Sequence, residues 1–200
     1  KTCFDFRTYL RGEEKKQRIC TGNNPAGEFH FNRAIKNPKM ISAGDHTNCA
    51  IDEEGVKCWG GNQGNPLSVP LLEGSKKISV GTGHVCALDE KGVKCWGRDV
   101  RGQLNPPRMR NPRQLALGRY HSCALADSGI HCWGSTGLGQ GRVPSYLDQI
   151  EELHFGYQFA CGLYQGKIEC WGANNEGQAS APRLKTVERV SLGVNHGCAL

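Results

Sequence analysis

A net charge of +6, an apolar content of 38% and abundant glycine mark this chain of 200 residues, and no apolar run approaches the roughly 18 residues that cross a membrane. Its 27 glycines are typical of short strands that alternate with tight turns. Its 11 cysteines include no C-x-x-C pair, which argues against zinc ribbons and thioredoxin-type sites.

Residues 1–37 are a degenerate copy of a repeat unit that is clearer later in the sequence. Cys20-Thr-Gly stands where C-W-G stands elsewhere, and Cys3-Phe-Asp-Phe is similar to the later C-A-L-D strands, with a longer hairpin between them. We therefore predict a degenerate half-blade with an extended hairpin over 1–37 and propeller repeats over 38–200, in a single domain. The repeats are predicted at 38–75, 76–111, 112–149 and 150–186, with a partial one at 187–200.

The unit is clearest from Gly81 to Gly97, which reads G-T-G-H-V-C-A-L-D-E-K-G-V-K-C-W-G. Copies span 44–60, 118–134 and 156–172, and another begins at residue 193, so the copies follow at steps of about 37 residues. This period is typical of solenoids and propeller blades. The predicted fold is an all-β propeller, either closed at five blades by the two terminal halves or part of a larger ring.

Each blade is predicted to have four strands, the outermost of them weak. In the unit at 76–111, strands are expected at 76–80, 84–88 and 93–96, followed by a looser arm through Gly102-Gln103. Cys86 and Leu88 alternate with other residues, as strands with two different faces require.

The cysteines repeat in phase with the blades. Pairs nine residues apart occur at Cys49/Cys58, Cys86/Cys95, Cys123/Cys132 and Cys161/Cys170. Across a two-residue turn this spacing places both residues opposite each other at a non-hydrogen-bonded pair, with Cα atoms about 4.5 Å apart. A disulfide can bridge that distance, so four intra-hairpin disulfides and an oxidising compartment are predicted.

Two features of this pattern leave alternatives open. In three hairpins the glycine follows the ideal turn position, so a type I turn with a bulged glycine would shift the pairing, and only Gln165-Gly166 fits a type I′ turn. Cys20 can pair with Cys3 in its own hairpin or with Cys198, which leaves one of the three cysteines unpaired.

The pattern G-x-x-H-x-C-A-L-x-x-x-G-x-x-x-W-G-x-x-x-x-G-Q resembles repeats of the regulator of chromosome condensation type. Its short repeat looks most like the beta-lactamase inhibitory protein II branch of that superfamily. The resemblance spans residues 38 to 200 and extends faintly through 1 to 37. It implies a propeller, usually of seven blades, that acts by binding another protein. The paired cysteines and the degenerate first unit depart from the family pattern.

In the inhibitory branch, the two positions after each leading glycine bind the partner. The matching positions here are Asp45, His46, Thr82, Gly83, Arg119, Tyr120, Tyr157, Gln158, Val194 and Asn195. Because only two aromatic residues occur among them, inhibition of a beta-lactamase is not implied. Tyrosine and arginine are common hot-spot residues, which favours Arg119, Tyr120, Tyr157 and Gln158 as the binding set, with Asp45 and His46 beside them.

An arginine-rich segment adds Arg98 and Arg101 to the candidate binding residues. It also contains Arg108, Arg110, Arg113 and Arg119, and its only acid is Asp99. Such a patch could bind an acidic protein, an anionic glycan or nucleic acid, although a solvated surface is the simpler interpretation. No nucleic-acid-binding motif accompanies it, so a nucleic-acid partner is not expected.

Histidines and tryptophans also recur at blade spacing. His84, His121 and His196 could suggest a ring of metal ligands, but each is better interpreted as a ring-to-backbone cap of its own turn, and no metal is predicted. Trp59, Trp96, Trp133 and Trp171 could be stacking platforms for sugars or bases, but their recurrence in phase with the glycines favours packing between blades.

No G-x-S-x-G elbow, P-loop or H-E-x-x-H motif is present, so neither an enzyme nor a cofactor is predicted. The first hypothesis is a secreted, periplasmic or cell-surface module that binds another protein through variable loops on one rim. The alternatives are a glycan-binding adhesin, a guanine nucleotide exchange factor-like regulator and a structural spacer. The cysteine pattern argues against the exchange factor, which belongs in a reducing compartment.

Overall fold

The structure is a computed structural model that describes residues 2–10, 13–21, 35–61, 67–145, 147 and 150–200. For 2–10 and 13–21 the description covers the backbone. In these ranges every regular element is a β-strand, and no helix is long and apolar enough to cross a membrane. An antiparallel hairpin of β1 (Thr2–Leu10) and β2 (Glu13–Thr21) comes first.

Four antiparallel sheets of three strands follow, each with its strands in chain order, and we call them blades 1 to 4. Blade 1 contains β3 (Met40–Ala43), β4 (Thr47–Asp52) and β5 (Gly55–Gly60). Blade 2 contains β6 (Lys77–Val80), β7 (His84–Asp89) and β8 (Gly92–Gly97). Blade 3 contains β9 (Gln114–Leu117), β10 (His121–Ala126) and β11 (Gly129–Gly134). Blade 4 contains β12 (Glu152–Phe155), β13 (Phe159–Tyr164) and β14 (Lys167–Gly172). A two-stranded half-blade pairs β15 (Val190–Leu192) with β16 (Gly197–Ala199).

The first strand of each blade lies beside the first strand of the next blade. β3 contacts β6, β6 contacts β9, β9 contacts β12 and β12 contacts β15. We call the edge formed by these first strands the hub. The middle strands β4, β7 and β10 are buried along their whole length. This succession of sheets is the arrangement of propeller blades.

The fourth strand expected in each blade is not formed in the described residues. After β8 the chain runs through turns and bends to residue 113, and we call this segment the blade 2 arm. Gly102 adopts a φ of 78°, and Pro106 and Pro107 have no N–H to donate to a ladder, so the arm is a poor strand. The corresponding segment after β11 is the blade 3 arm.

The hydrophobic core lies between blades. Cys86 and Leu88 of blade 2 pack with Leu115, Leu117 and Trp133 of blade 3. Cys123 and Leu125 of blade 3 pack in the same way with blade 4. The middle strand therefore turns its cysteine face towards the next blade. The tryptophans that end blades 2, 3 and 4 face the preceding blade, and Trp96, Trp133 and Trp171 are each 7% exposed. The prediction of packing between blades is confirmed for these three.

The hairpins keep the predicted register. Cys49 lies opposite Cys58, although Gly55 has a φ of 117° after a turn whose two residues have negative φ. The shifted pairing therefore does not occur. The turn of blade 4 differs as expected, since Gln165 and Gly166 have φ values of 49° and 70°, both positive as in a type I′ turn.

Buried carboxylates stabilise two of these hairpins. Asp52 accepts hydrogen bonds from the backbone N–H of Glu54 and Lys36 and from Lys57 Nζ. Burial alone would raise the pKa of Asp52, but these hydrogen bonds outweigh it and lower the pKa to about 2. Asp89 repeats the arrangement in blade 2 with Lys94 Nζ at 2.9 Å.

All four predicted disulfides are formed, with Cα–Cα distances of 4.0 to 4.1 Å. They join Cys49 to Cys58, Cys86 to Cys95, Cys123 to Cys132 and Cys161 to Cys170. Cys198 carries a free, exposed thiol. The backbone places Cys3 opposite Cys20, the same register as the bonded pairs, but their side chains lie outside the described residues. The rest of the predicted half-blade, residues 22–34, also lies outside them, and ring closure stays a prediction.

Candidate partner-binding face

The leading glycines bring the blades close together at the hub. A Cβ on Gly81 would lie 2.5 Å from the carbonyl oxygen of Gly118 and 2.5 Å from the ring of His84. Gly118 and Gly156 have the same relation to the ring three residues later and to the next leading glycine. Only glycine fits at such a close approach. The loop that follows each of these glycines is therefore held in a fixed place beside its neighbour.

These loops share one face of the protein, which we call the loop face. It comprises residues 44–46, 81–83, 118–120, 156–158 and 193–196. Backbone hydrogen bonds join successive loops, from Thr82 N to Gly118 O at 3.3 Å and from Arg119 N to Tyr157 O at 3.2 Å. The residue after each W-G is attached as well, since Arg98 N donates to Gly83 O at 2.8 Å. Variable side chains thus stand on a rigid backbone arc.

Three of the predicted binding residues meet on this face. The Arg119 guanidinium carbon lies 4.6 Å from the ring centroid of Tyr120 and 4.6 Å from that of Tyr157. Both distances are within the range of a cation–π interaction. The Nε of Arg119 is buried and has no hydrogen-bond partner in the described residues. All three residues are half-buried, so part of each remains open to solvent.

Gln158, Asp45 and His46 lie on the same face, whereas Arg98 and Arg101 follow β8 and lie outside the loops that define it. Gln158 is half-buried, and its carbonyl oxygen accepts from Ala173 N. On blade 1, His46 Nε2 lies 3.4 Å from Asp45 Oδ2. Arg98 is exposed beside the blade 2 loop, and Arg101 is exposed in the blade 2 arm.

The arginine-rich segment is not one patch. Arg110 O accepts from Asp127 N at the hairpin turn of blade 3, and Arg113 Nη2 lies 3.4 Å from Ile150 O. These two arginines therefore lie near the opposite end of the blades from Arg119, on what we call the hairpin face. The interpretation of the segment from Arg98 to Arg119 as a single basic surface is therefore wrong, because the arm crosses from one face to the other.

The repeated histidines stabilise the hub. His84 Nε2 lies 3.0 Å from Ser122 Oγ, so this hydrogen bond links blade 2 to blade 3, in addition to an interaction of the ring with the Thr82 backbone of its own turn. Burial lowers the pKa of His84 to about 4, and burial together with the nearby His84 lowers the pKa of His121 to about 4. Within the described residues, no group of three side chains could hold a metal ion.

Exposed apolar side chains also occur near this face, at Val194, one of the positions matched to the inhibitory branch, and at Val100, which sequence reasoning missed. Val194 is 56% exposed in the half-blade loop, and Val100 is 47% exposed in the blade 2 arm. Their signal was an apolar residue in a segment that is otherwise polar or glycine-rich. They add apolar surface to the charged and aromatic groups of the loop face, a mixture that is typical of protein interfaces.

Comparison with known proteins identifies the repeat. Residues 76–103 and 113–140 match the family described as regulator of chromosome condensation (RCC1) repeat. They contain blades 2 and 3, each with the start of its arm. The resemblance predicted from the sequence is confirmed at these two repeats. No curated protein matches the sequence.

Solved structures share the fold of this chain. The ectodomain of the receptor kinase CR4 from Physcomitrella patens matches with a TM-score of 0.67 and 23% identity over 81% of this chain and 50% of its own. The CRINKLY WD40 ectodomain of the receptor kinase ACR4 from Arabidopsis thaliana matches with a TM-score of 0.64 and 25% identity over 80% and 58%.

A third solved structure matches as well. Prp20p from Saccharomyces cerevisiae, whose structure is described with its binding to Gsp1p and histones, has a TM-score of 0.71 and 17% identity over 95% of this chain and 58% of its own. The chain therefore spans 50 to 58% of the length of these three proteins. The likeness confirms the predicted all-β propeller fold.

Proposed function

We propose that the chain is a non-enzymatic binding module that docks another protein on its loop face. One observation carries this proposal: Arg119 is held between Tyr120 and Tyr157 on two adjacent, rigidly linked loops. Arginine and tyrosine are among the residues that most often dominate binding energy at protein interfaces. A pre-stacked cluster of these residues loses little side-chain freedom when a partner arrives.

The division between scaffold and loops supports the same proposal. The glycines, cysteines and tryptophans that recur in every whole blade are used for packing, whereas the two positions after each leading glycine differ from blade to blade. Variable loops on a repeated rigid frame are the usual arrangement of a recognition surface. A propeller that bound sugars or bases through each blade would instead repeat its polar and aromatic set.

We further propose that the protein works outside the cytosol, secreted, periplasmic or at the cell surface. Four disulfides form and persist in oxidising compartments. Two of the structural relatives are receptor ectodomains, which favours the cell surface. The exchange-factor alternative has a structural relative in Prp20p, but eight bonded cysteines are unsuited to a reducing compartment.

A capture experiment tests the proposed function. The disulfide-bonded chain is immobilised and exposed to secreted and cell-surface proteins, and captured proteins are quantified by mass spectrometry. The best-enriched protein is then purified and its affinity measured. The Tyr120→Ala/Tyr157→Ala variant should bind at least tenfold more weakly, because truncation of hot-spot residues costs more than about 1.4 kcal/mol.

Leu71→Ala serves as the control, because Leu71 is 83% exposed and its carbonyl oxygen accepts from Lys94 Nζ near the hairpin face. This variant should bind as the unmodified chain does. Equal affinity of all three proteins for the partner would show that the loop face does not carry the interaction.

A further inference from the structure

We propose that Arg119 is a preformed receptor for an aspartate or glutamate side chain of the protein partner. This inference rests on the proposed function and names the chemistry of the partner surface. It assigns to the partner a carboxylate that inserts at the Arg119 stack, flanked by groups that pack against Tyr120 and Tyr157.

The first argument is the absence of a counter-ion. No carboxylate of the described residues forms an ion pair with the Arg119 guanidinium, whereas Lys36, Lys57, Lys91 and Lys94 each pair with an acid. Arg119 is also half-buried, and its Nε lacks an acceptor. A partly desolvated cation without an acceptor costs free energy, and a buried unsatisfied polar group in a native fold calls for an explanation. A partner carboxylate at the solvent-accessible part of the Arg119 side chain would compensate this partly desolvated charge.

The second argument is the geometry of the stack. A guanidinium is a rigid planar fork that pairs with a carboxylate through two parallel hydrogen bonds. The guanidinium carbon lies 4.6 Å from the centroid of each tyrosine ring, so both rings restrict the position of the guanidinium before any partner binds. The backbone bond from Arg119 N to Tyr157 O holds the loops that bear the rings at a fixed separation. Little freedom is then lost when a carboxylate binds.

The third argument is the charge of the surroundings. Arg98 is attached to the blade 2 loop through Gly83 O, and that loop is attached to Gly118 O through Thr82 N. An exposed second cation thus stands one blade away from Arg119. Asp99 lies beside Arg98 and Asp45 lies on the blade 1 loop, so the local charges are mixed, and the net charge of +6 of the whole chain is what favours association with an acidic partner.

The test uses an acidic peptide as the probe. A fluorescent Gly-Ser-Glu-Glu-Glu-Ser-Gly peptide with acetylated and amidated ends is titrated with the folded, disulfide-bonded chain, and anisotropy gives the affinity. A Gln-for-Glu peptide with amidated ends measures binding without carboxylates. The same Gln peptide with a free C-terminus measures binding of a terminal carboxylate. The NMR signal of the Arg119 Nε–Hε group is followed in parallel.

We expect saturable binding of the Glu peptide alone, with a shift of the Arg119 Nε–Hε signal. Arg119→Gln and Arg119→Lys should each weaken binding at least fivefold, because lysine keeps the charge but loses the planar fork. Arg110→Gln, an exposed arginine near the hairpin face, is the matched control and should leave the affinity unchanged. Thermal melting verifies that each variant is folded.

Three outcomes would overturn the assignment. They are equal affinity for the Glu peptide and either Gln peptide, retained binding in both folded Arg119 variants, and an equal loss in Arg110→Gln, which would indicate bulk charge alone. The proposed function has a separate readout. If Tyr120→Ala/Tyr157→Ala abolishes capture of the protein partner while Arg119→Gln does not, the binding face stands and the carboxylate site fails.

Discussion

The indole Nε1 of Trp133 donates a hydrogen bond of 2.8 Å to the backbone carbonyl oxygen of Gln103, which lies in the arm of the preceding blade. Ser122 Oγ donates to the same oxygen at 3.2 Å. Trp171 and Gln140 repeat the relationship one blade later, at 3.0 Å. The Gly-Gln and Trp-Gly motifs of the repeat are therefore two halves of one contact between neighbouring blades.

Removal of this contact should destabilise the fold in two steps. Trp133→Phe keeps an aromatic ring but removes the N–H that donates to the buried carbonyl oxygen of Gln103. We expect this change to lower the free energy of unfolding by about 1–3 kcal/mol. Trp133→Ala also opens a cavity and should cost about 3–5 kcal/mol. Urea unfolding measures both values. Unchanged stability of the alanine variant would contradict the packing role of the tryptophan.

The hub predicts a position-dependent effect of adding a single methyl group. Gly81→Ala places a Cβ 2.5 Å from the carbonyl oxygen of Gly118, so blades 2 and 3 must move apart. We expect a loss of about 1–3 kcal/mol, the usual cost of overpacking. Gly137→Ala is the control, since its Cβ would meet nothing within 4 Å. If the two variants melt at the same temperature, the close approach at the hub is not required.

As the pH falls, the buried histidines of the hub should reduce stability at a higher pH than the buried carboxylates do. The pKa of His84 and of His121 is about 4 in the folded chain, below the ordinary 6.5. The unfolded chain therefore takes up these protons first, so the stabilisation is complete above pH 6.5 and is lost as pH falls towards 4. Each histidine should account for about 2–3 kcal/mol over this range. Asp52 contributes no loss there, since its pKa of about 2 confines its effect to pH below 3.8.

Phenylalanine at position 121 separates this effect from general acid sensitivity. Phe159 occupies the equivalent position of blade 4, fully buried, so the hub accepts that ring. His121→Phe should remain folded at pH 7.5 and should lose less stability than the unmodified chain between pH 7.5 and 4.5, as measured by urea midpoints. An identical pH dependence in both proteins would show that His121 does not titrate in this range.

Non-reducing alkylation followed by peptide mapping tests the cysteine pattern. Cys198 should be labelled, and the eight cysteines of the four disulfides should be protected. Protection of Cys3 and Cys20 is also expected, because their backbone register equals that of the bonded pairs. A mapped bond between Cys20 and Cys198 would contradict this pairing.

A double variant, Cys86→Ser/Cys95→Ser, measures what one disulfide contributes. Its loop is short, so we expect a loss of about 2–3 kcal/mol in the free energy of unfolding. Urea unfolding under oxidising conditions gives the value, and the reduced unmodified chain provides the comparison.

The sequence predicted the blades because glycine, cysteine and tryptophan repeat in phase, and each of these residue types has one physical role in the unit. The cysteine spacing predicted the register that all four hairpins adopt, and the shifted pairing that the glycine positions left open in three of them does not occur. The three strands of blade 2 were also predicted within a residue or two. A fourth strand was predicted but is not formed in the described residues. A weakly apolar arm with prolines has a similar sequence pattern whether or not it pairs at the edge of a sheet.

The loop face was predicted only in part. Family positions pointed to Arg119, Tyr120 and Tyr157, but their mutual stacking depends on how closely two loops approach across blades, which no local pattern encodes. The supposed basic patch failed for the same reason. Residues close in sequence, such as Arg101 and Arg110, lie towards different faces because the arm between them crosses the blade.

The contact between each arm and the next tryptophan sets where this protein can be divided. A segment that begins at the first strand of one sheet and ends at its last strand would lack the arm of the preceding blade. Its tryptophan would then lose the glutamine carbonyl oxygen that accepts from the indole N–H. A transplantable unit should instead begin at one Gly-Gln and end before the next, so that every excised piece carries the carbonyl its own tryptophan needs. Duplication or exchange of units in that frame would leave the inter-blade seams intact while changing the loops that face a partner.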